Sequence, residues 1–150
     1  MDTKEITKLL FTIQPHWHNN IGKPFKKVML DGLSPAMFYC INVLSKSEND
    51  LTITELGKKL DMPKQQLTKI TTKLVDSGFI ERKTDNNDRR LILLHPTNKA
   101  NNYIESFSKH IENYYIEMIN SLSEKDRDNF GQSLKTILDV FEKLPKGENK

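Results

Sequence analysis

Cysteine and long apolar runs are both scarce in this sequence. Cys40 is the single cysteine, and one cysteine can form neither an internal disulfide nor a thiolate cage for a metal ion. No apolar stretch approaches the roughly eighteen residues of a membrane-spanning helix, and no apolar segment suited to secretion leads the chain. These absences predict a cytoplasmic protein that does not enter a membrane.

Apolar residues make up only 36% of the 150 residues. That share is low for a domain of this size that covers its own core, and it suggests that some apolar surface is buried against another chain. Charge is unevenly spread. Residues 51–100 hold ten Lys and Arg against six Asp and Glu, a balance of +4, whereas residues 101–150 hold seven against nine, a balance of −2. The basic excess in the middle of the chain is typical of a nucleic-acid-binding domain.

The segment 64–77 carries the strongest pattern. Its apolar residues recur at the spacing of one narrow helix face: Leu67, Ile70, Leu74 and Val75. No acidic residue occurs between Lys64 and Val75. A solvated helix normally mixes charge signs, whereas a face of cations, amides and hydroxyls suits phosphates and base edges. The predicted DNA contacts on this helix are Lys64, Gln65, Gln66, Thr68, Lys69, Thr72 and Lys73.

The elements around this helix complete a winged helix-turn-helix. Residues 54–60 predict a preceding helix, with Pro63 in the turn between the two. Gly78 suits the position that ends the second helix. Apolar strands at 79–83 and 91–95 flank a polar tip that contains arginines, which predicts a β-hairpin wing.

The two ends of the chain predict further helices. Ser34 and Pro35 are good starting residues for a helix that runs to about Ser47. Apolar stripes predict a long helix from residue 97 to about 122 and a last helix over 124–144, whose Ile137 and Phe141 are expected at a dimer seam. The tail from Pro145 to Lys150 looks loose.

Near the amino terminus, apolar residues from Ile6 to Ile13 predict a first amphipathic helix. This helix is expected to kink or end at Pro15, because proline removes a helical hydrogen-bond donor and clashes with the preceding turn.

The order of these elements resembles the MarR family of bacterial winged-helix regulators. Three segments carry the resemblance: LTITELGKKL at 51–60, LTKITTKLVDSGFIER at 67–82 and DNNDRR at 85–90. It implies a mainly α fold with a small β-hairpin wing. Residues 33–100 would form the DNA-binding winged helix-turn-helix domain, and residues 1–32 and 101–150 a helical dimerisation region.

The resemblance also implies roles for residues of the wing. Asp88 and Arg90 match the Asp-x-Arg motif of the family, whose arginine enters the minor groove with the aspartate supporting it. Arg82 takes the place of the arginine that opens the wing. Arg89, beside Arg90 at the tip, is a further predicted DNA contact.

The remaining aromatic, histidine and cysteine residues bear on whether the protein has a small-molecule, metal or redox site. Five aromatic residues are expected to pack in the core or the dimer seam, or, by analogy with the family, to line an effector pocket: Trp17, Phe38, Tyr39, Tyr103 and Phe107. The spacing of His16 and His18 suits a metal ion only in an extended or broken backbone, and no further metal-ligating residue lies near them in the sequence. No metal site is therefore predicted, and metal sensing is kept as the alternative. Cys40 lies on an apolar helix and is predicted to be buried, whereas a redox sensor would need exposure.

The expected function is that of a homodimeric, sequence-specific transcriptional regulator, a repressor relieved by a small ligand and without a cofactor. Its expected partners are double-stranded DNA, a second copy of the chain and a small-molecule effector. The alternative is a winged-helix adaptor that binds proteins, although an adaptor would not need an acid-free helix face. An enzyme is not expected, because no paired carboxylates, activated nucleophile or phosphate loop is visible.

Overall fold

The computed structural model describes residues 1–144. Its helices are α1 (Thr3–Trp17), α2 (Lys23–Val28), α3 (Pro35–Lys46), α4 (Ile53–Leu60), α5 (Lys64–Asp76), α6 (Asn98–Asn120) and α7 (Glu124–Lys143). Its strands are β1 (Leu51–Thr52), β2 (Ile80–Thr84) and β3 (Ile92–Pro96). The mainly helical fold with a small wing is confirmed. The tail that was predicted to be loose, 145–150, lies outside the described residues.

Capping side chains determine where several helices begin. Ser34 Oγ accepts a hydrogen bond from the Met37 N–H at 3.2 Å, with Pro35 in the first turn of α3. Thr52 and Glu55 form a capping box, in which Glu55 Oε2 accepts from the Thr52 N–H at 2.7 Å. These bonds to Thr52 lower the pKa of Glu55. The box also explains why α4 starts one residue before the predicted Thr54.

The amino-terminal helix corrects one prediction, because α1 does not end at Pro15. The helix passes through Pro15 to Trp17 and then changes to a π-helical turn, His18–Gly22, that leads into α2. Within this turn the Lys23 N–H bonds to the His18 carbonyl, a spacing of five residues. The hydrogen-bond pattern therefore changes after the proline, at His18–Gly22, and not at the proline itself.

The three strands form an antiparallel sheet in the order β1-β3-β2. Strands β2 and β3 make the wing and pair from Ile80 opposite Pro96 to Thr84 opposite Ile92. Ile80 and Leu94 are buried, so one face of the base of the wing packs into the core. Both predicted strands are present, with each end shifted by one residue.

The core lies between α3, α4, α5, the sheet and the first half of α6. Its largest almost completely buried side chains are Ile41, Leu56, Leu67, Leu74, Ile80, Thr71 and Cys40. Burying one large aliphatic side chain contributes about 1.5–3 kcal/mol. The hydroxyl of the buried Thr71 donates to the Thr68 carbonyl at 3.2 Å, which offsets the cost of removing it from water.

The terminal helices behave differently, since neither α1 nor α7 has a buried residue. Phe11 on α1 is 76% exposed and Phe141 on α7 is 58% exposed. Among residues 1–144, no helix has the length and apolar character needed to cross a membrane.

Candidate nucleic-acid interface

Helix α5 separates its apolar and polar residues onto opposite sides. Leu67, Ile70 and Leu74 are buried against the core. All seven DNA contacts predicted on this helix are exposed, from Lys64 in its first turn to Lys73 in its last. From Lys64 to Val75 the structure therefore exposes lysines, glutamines and threonines and no acidic side chain, and the exposed Asp76 ends the helix.

The start of α6 holds the carboxyl end of α5 in place. Gly78 ends the helix with a φ of +75°, a conformation that glycine adopts without steric cost. Thr97 Oγ1 donates to the Gly78 carbonyl at 2.7 Å, and Lys99 Nζ donates to the Ser77 carbonyl at 2.8 Å. Lys99 Nζ also lies 4.5 Å from the centre of the Phe79 ring. These contacts connect the orientation of α5 to that of α6.

A compact turn shapes the tip of the wing. Asp85 Oδ1 accepts hydrogen bonds from the N–H groups of Asn87 and Asp88, both at 2.8 Å. The Asp85 N–H donates to the Leu91 carbonyl at 3.1 Å and closes the loop. Such side-chain bonds to the backbone favour a turn over a continued strand. Asp85 was not singled out from the sequence, although an Asp-Asn-Asn run is a turn signal.

Asp88 and Arg90 form the wing contact that the family motif implies. The Arg90 guanidinium donates through Nε to Asp88 Oδ1 at 3.1 Å and through Nη2 to Oδ2 at 3.3 Å. The Arg90 N–H also donates to Oδ1, at 3.0 Å. The bond from the Arg90 side chain, followed by that from its backbone, lowers the pKa of Asp88. The side chain of Arg90 is 91% exposed while the Asp88 carboxylate holds its guanidinium at the tip of the wing.

The two remaining wing arginines are placed differently. Arg89 is exposed at the tip beside Arg90. Arg82 lies on β2, and its Nη2 donates to Thr72 Oγ1 on α5 at 3.0 Å. The structure thus joins one predicted residue of the wing, Arg82, to one predicted residue of α5, Thr72.

A further contact at the base of the wing was missed by the sequence analysis. His95 Nδ1 on β3 lies 2.7 Å from Asp50 Oδ1, in the loop before β1. The two residues are 45 positions apart. No local pattern marks such a pair, because neither residue belongs to a motif.

The predicted effector-pocket residues do not form one group. Phe38 and Phe107 are buried and their ring centres lie 4.4 Å apart. Tyr103 packs beside both rings, and Phe25 fits edge-on against Phe38 with a centre distance of 5.0 Å. Tyr39 is 45% exposed at the margin of this aromatic cluster.

Trp17 lies elsewhere. It lines a cleft of about 440 Å³ between α1 and α7, together with Leu10, Ile13, Gln14, Thr136, Ile137, Val140 and Phe141. Most of these side chains are apolar, and several of them are exposed large hydrophobic residues of a single chain. Ile137 and Phe141, the residues predicted at a dimer seam, are both in this cleft.

Cys40 is buried with no exposed surface, as predicted. Burial raises its pKa from the usual 9.0 to about 12, because an apolar environment disfavours the thiolate. Within the described part of the chain, no three His, Cys, Asp or Glu side chains lie close enough together to hold a metal ion.

Comparison with known proteins identifies the fold. The model of the MarR family matches residues 31–91, which span the winged helix-turn-helix up to the start of β3. These residues therefore form a segment of MarR-family type. The chain is similar to the transcriptional repressor MprA of Escherichia coli, with 24% identity over 140 residues that cover 93% of this chain and 78% of that protein.

Two solved structures of MarR-like fold cover nearly the whole chain. FabT of Streptococcus pneumoniae, solved in complex with DNA, matches with a TM-score of 0.72 and 24% identity over 96% of this chain and 100% of that chain. MepR, a transcription regulator of a Staphylococcus aureus multidrug efflux pump, matches with a TM-score of 0.71 and 15% identity over 94% of this chain and 99% of that chain. The fold shared with these structures therefore extends beyond residues 31–91 to the terminal helices.

Proposed function

We propose that this MarR-family transcriptional regulator is a homodimer that binds an inverted-repeat operator and represses transcription until a small ligand relieves it. One observation carries the DNA-binding part of this proposal. An exposed face on α5 without acids from Lys64 to Val75 and an exposed arginine held by a carboxylate on the wing lie in one polypeptide segment of 27 residues, Lys64 to Arg90. A helix for the major groove and a cation for the minor groove are the parts that a winged-helix DNA-binding protein needs.

The proposed roles follow from position on α5. Gln65 and Gln66 lie in its first turn, the part that meets base edges in helix-turn-helix proteins, and an amide can bond adenine N6 and N7 together. Lys69 and Lys73 lie one and two turns further on and are proposed to contact phosphates. Arg90 is proposed to enter the minor groove, where a narrow groove concentrates negative potential.

Dimerisation through the terminal helices is supported by their exposed apolar side chains. Phe11 and Leu10 on α1 and Leu138 and Phe141 on α7 are each more than half exposed in a single chain. A second copy offering the same helices would cover them, in an interface of obligate type above about 2,000 Å². Residues 33–100 would then bind DNA, while 1–32 and 101–150 would hold the two copies together.

Repression is supported by the relative MprA, which is named as a transcriptional repressor. Relief by a ligand is supported by the family resemblance. The proposed effector region is the aromatic cluster of Phe38, Tyr103 and Phe107 between the DNA-binding domain and α6, with Tyr39 at its margin; Trp17 would contribute only if the ligand reached the α1–α7 cleft.

Selection of binding sites from random duplex DNA tests the proposal. We expect an enriched inverted repeat whose half-sites lie about one helical turn, roughly 34 Å, apart. The readout also identifies candidate operators, whose promoters can then be assayed for repression. A folded dimer that enriches no sequence, at low salt as well as at physiological salt, would instead favour the protein-binding adaptor.

A further inference from the structure

Arg82 connects the wing to α5 through Thr72. Its Nη2 donates to Thr72 Oγ1 at 3.0 Å, while the hydroxyl of Thr72 donates its own proton to the Thr68 carbonyl at 2.9 Å. That second bond fixes the hydroxyl so that a lone pair faces Arg82. Helix α5 therefore fixes the acceptor oxygen of Thr72, and Arg82 on the wing supplies the donor.

The need for such a connection follows from how the wing packs. Side chains alternate between the two faces of a strand, and Ile80, Arg82 and Thr84 share the face of β2 that turns toward α5. Ile80 is 1% exposed and belongs to the core, but every residue of β2 after it is exposed. Strand β2 therefore leaves the core just where Arg82 reaches across to Thr72, while Leu94, opposite Arg82 on β3, is the last buried residue of the wing.

We infer that Arg82 is a positioning residue that sets the angle between the wing and α5 and thereby places Arg90 in the minor groove. The inference rests on the proposed function and changes the role expected from sequence, in which Arg82 contacts DNA itself. In a direct contact, Arg82 would act independently of Thr72 and Arg90. As a positioning residue, it acts through both.

A set of matched variants separates the two roles. Arg82→Ala removes the donor, Thr72→Val removes the acceptor while keeping the side-chain shape, and Thr72→Ser keeps the hydroxyl. Lys83→Ala is the charge control, because Lys83 is the neighbouring cation on β2 but faces the other side of the hairpin, opposite Leu93. Each variant is made in the otherwise unchanged chain and in an Arg90→Ala chain, and thermal unfolding checks that it folds.

The first readout uses the free protein and needs no DNA. We expect amide hydrogen exchange in the outer wing, from Arg82 to Ile92, to accelerate in both Arg82→Ala and Thr72→Val. Thr72→Ser and Lys83→Ala should leave it unchanged. Unchanged exchange in both Arg82→Ala and Thr72→Val would overturn the inference whether or not the protein binds DNA.

The second readout is affinity for the selected operator, with hydroxyl-radical footprinting of the minor groove. Loss of the exposed hydrogen bond from the charged Arg82 to Thr72 should weaken operator binding about three- to tenfold. Arg82→Ala and Thr72→Val should weaken it alike, their combination should add nothing, and both effects should vanish in the Arg90→Ala chain. The wing footprint should fade while major-groove protection by α5 persists.

Other patterns would overturn the inference. A loss in Arg82→Ala without one in Thr72→Val, or losses that multiply with Arg90→Ala, would show that Arg82 contacts DNA directly. Absence of sequence-specific binding by the unaltered protein would contradict the proposed function, and hydrogen exchange would still decide whether Arg82 holds the wing.

Discussion

The middle of the chain and its two ends use apolar residues in opposite ways. Among residues 1–144, the buried apolar residues run from Met29 to Phe107, where four helices and the sheet close over one another. Helices α1 and α7 carry comparable apolar stripes, yet they contain no buried residue. Leu74 on α5 is 0% exposed, whereas Leu138 on α7 is 60% exposed.

The difference shows that an apolar stripe predicts burial but not the partner that provides it. The stripe on α5 is covered by α3, α4 and the wing of the same chain. Helices α1 and α7 leave their apolar side chains exposed in the single chain, which supports the proposed contact with a second copy. The variants below test whether the middle is stable by itself and whether the ends depend on a second copy.

The largest expected effect comes from the core. Leu74→Ala should lower the free energy of unfolding by about 2–5 kcal/mol, because it leaves a cavity among fully buried side chains. Leu138→Ala, the same change on α7, should have an effect that depends on protein concentration, as expected when the side chain is buried only in the dimer. Urea unfolding at several protein concentrations measures both. A Leu138→Ala loss independent of concentration would place that residue in a monomeric core instead.

The second effect concerns the dimer. Phe141→Asp introduces a charge into the proposed seam and should weaken association by at least about 2 kcal/mol, the range of interface hot spots. Gln132→Asp introduces the same residue on the opposite face of α7 and is the control. Sedimentation at micromolar concentration should show dissociation only for Phe141→Asp. A Phe141→Asp dimer as tight as the unaltered one would contradict a seam at this residue.

Much of the fold could be predicted because its signals are local. Helix faces follow from apolar spacing, as at Leu67 and Leu74, and Ser34 and Gly78 mark helix ends through their own chemistry. The contact between Asp88 and Arg90 was also accessible, because the two residues belong to one three-residue family motif.

The parts that could not be predicted depend on distant contacts or on backbone details. The pair of His95 and Asp50 and the bond between Arg82 and Thr72 join separate elements, and spacing along the chain does not reveal them. The separation of Trp17 from the aromatic cluster depends on the path of α1. That path was misjudged because Pro15 remains within the helix and the π-helical turn comes after it.

The third effect tests the wing. Arg90→Ala should weaken operator binding by about 1–3 kcal/mol, roughly five- to 150-fold, without changing the unfolding curve. Lys109→Ala is the control, because Lys109 is an exposed cation on α6 outside the proposed DNA interface. Its Nζ pairs with Glu105 Oε1 at 2.8 Å. Fluorescence anisotropy with labelled operator measures both variants. Equal affinities in a folded Arg90→Ala protein would reject the minor-groove assignment.

A smaller effect divides the roles along α5. Gln65→Ala or Gln66→Ala should relax base preference at particular operator positions, because amides bond to base edges. Lys69→Ala should weaken all sequences alike and reduce the salt dependence of binding by about one released counterion. Binding to a panel of mismatched sites over a salt series separates the two. If both kinds of variant lose affinity in the same pattern, the division between base and phosphate contacts is wrong.

The smallest effect, absent at neutral pH, tests how completely the middle of the chain is closed. Because burial raises the pKa of Cys40 from 9.0 to about 12, the unfolded chain releases this proton at a lower pH than the folded one. The protonated Cys40 thiol therefore contributes its full share to the free energy of unfolding below pH 9. This share is lost as the pH rises toward 12, by at most about 1.4 kcal/mol per pH unit. Cys40→Ala should remove this part of the slope in urea unfolding between pH 8 and 10.5, while lysine and tyrosine titration affects both proteins equally. Identical slopes, or rapid alkylation of the folded protein at pH 7, would show instead an accessible thiol of the kind that redox sensing requires.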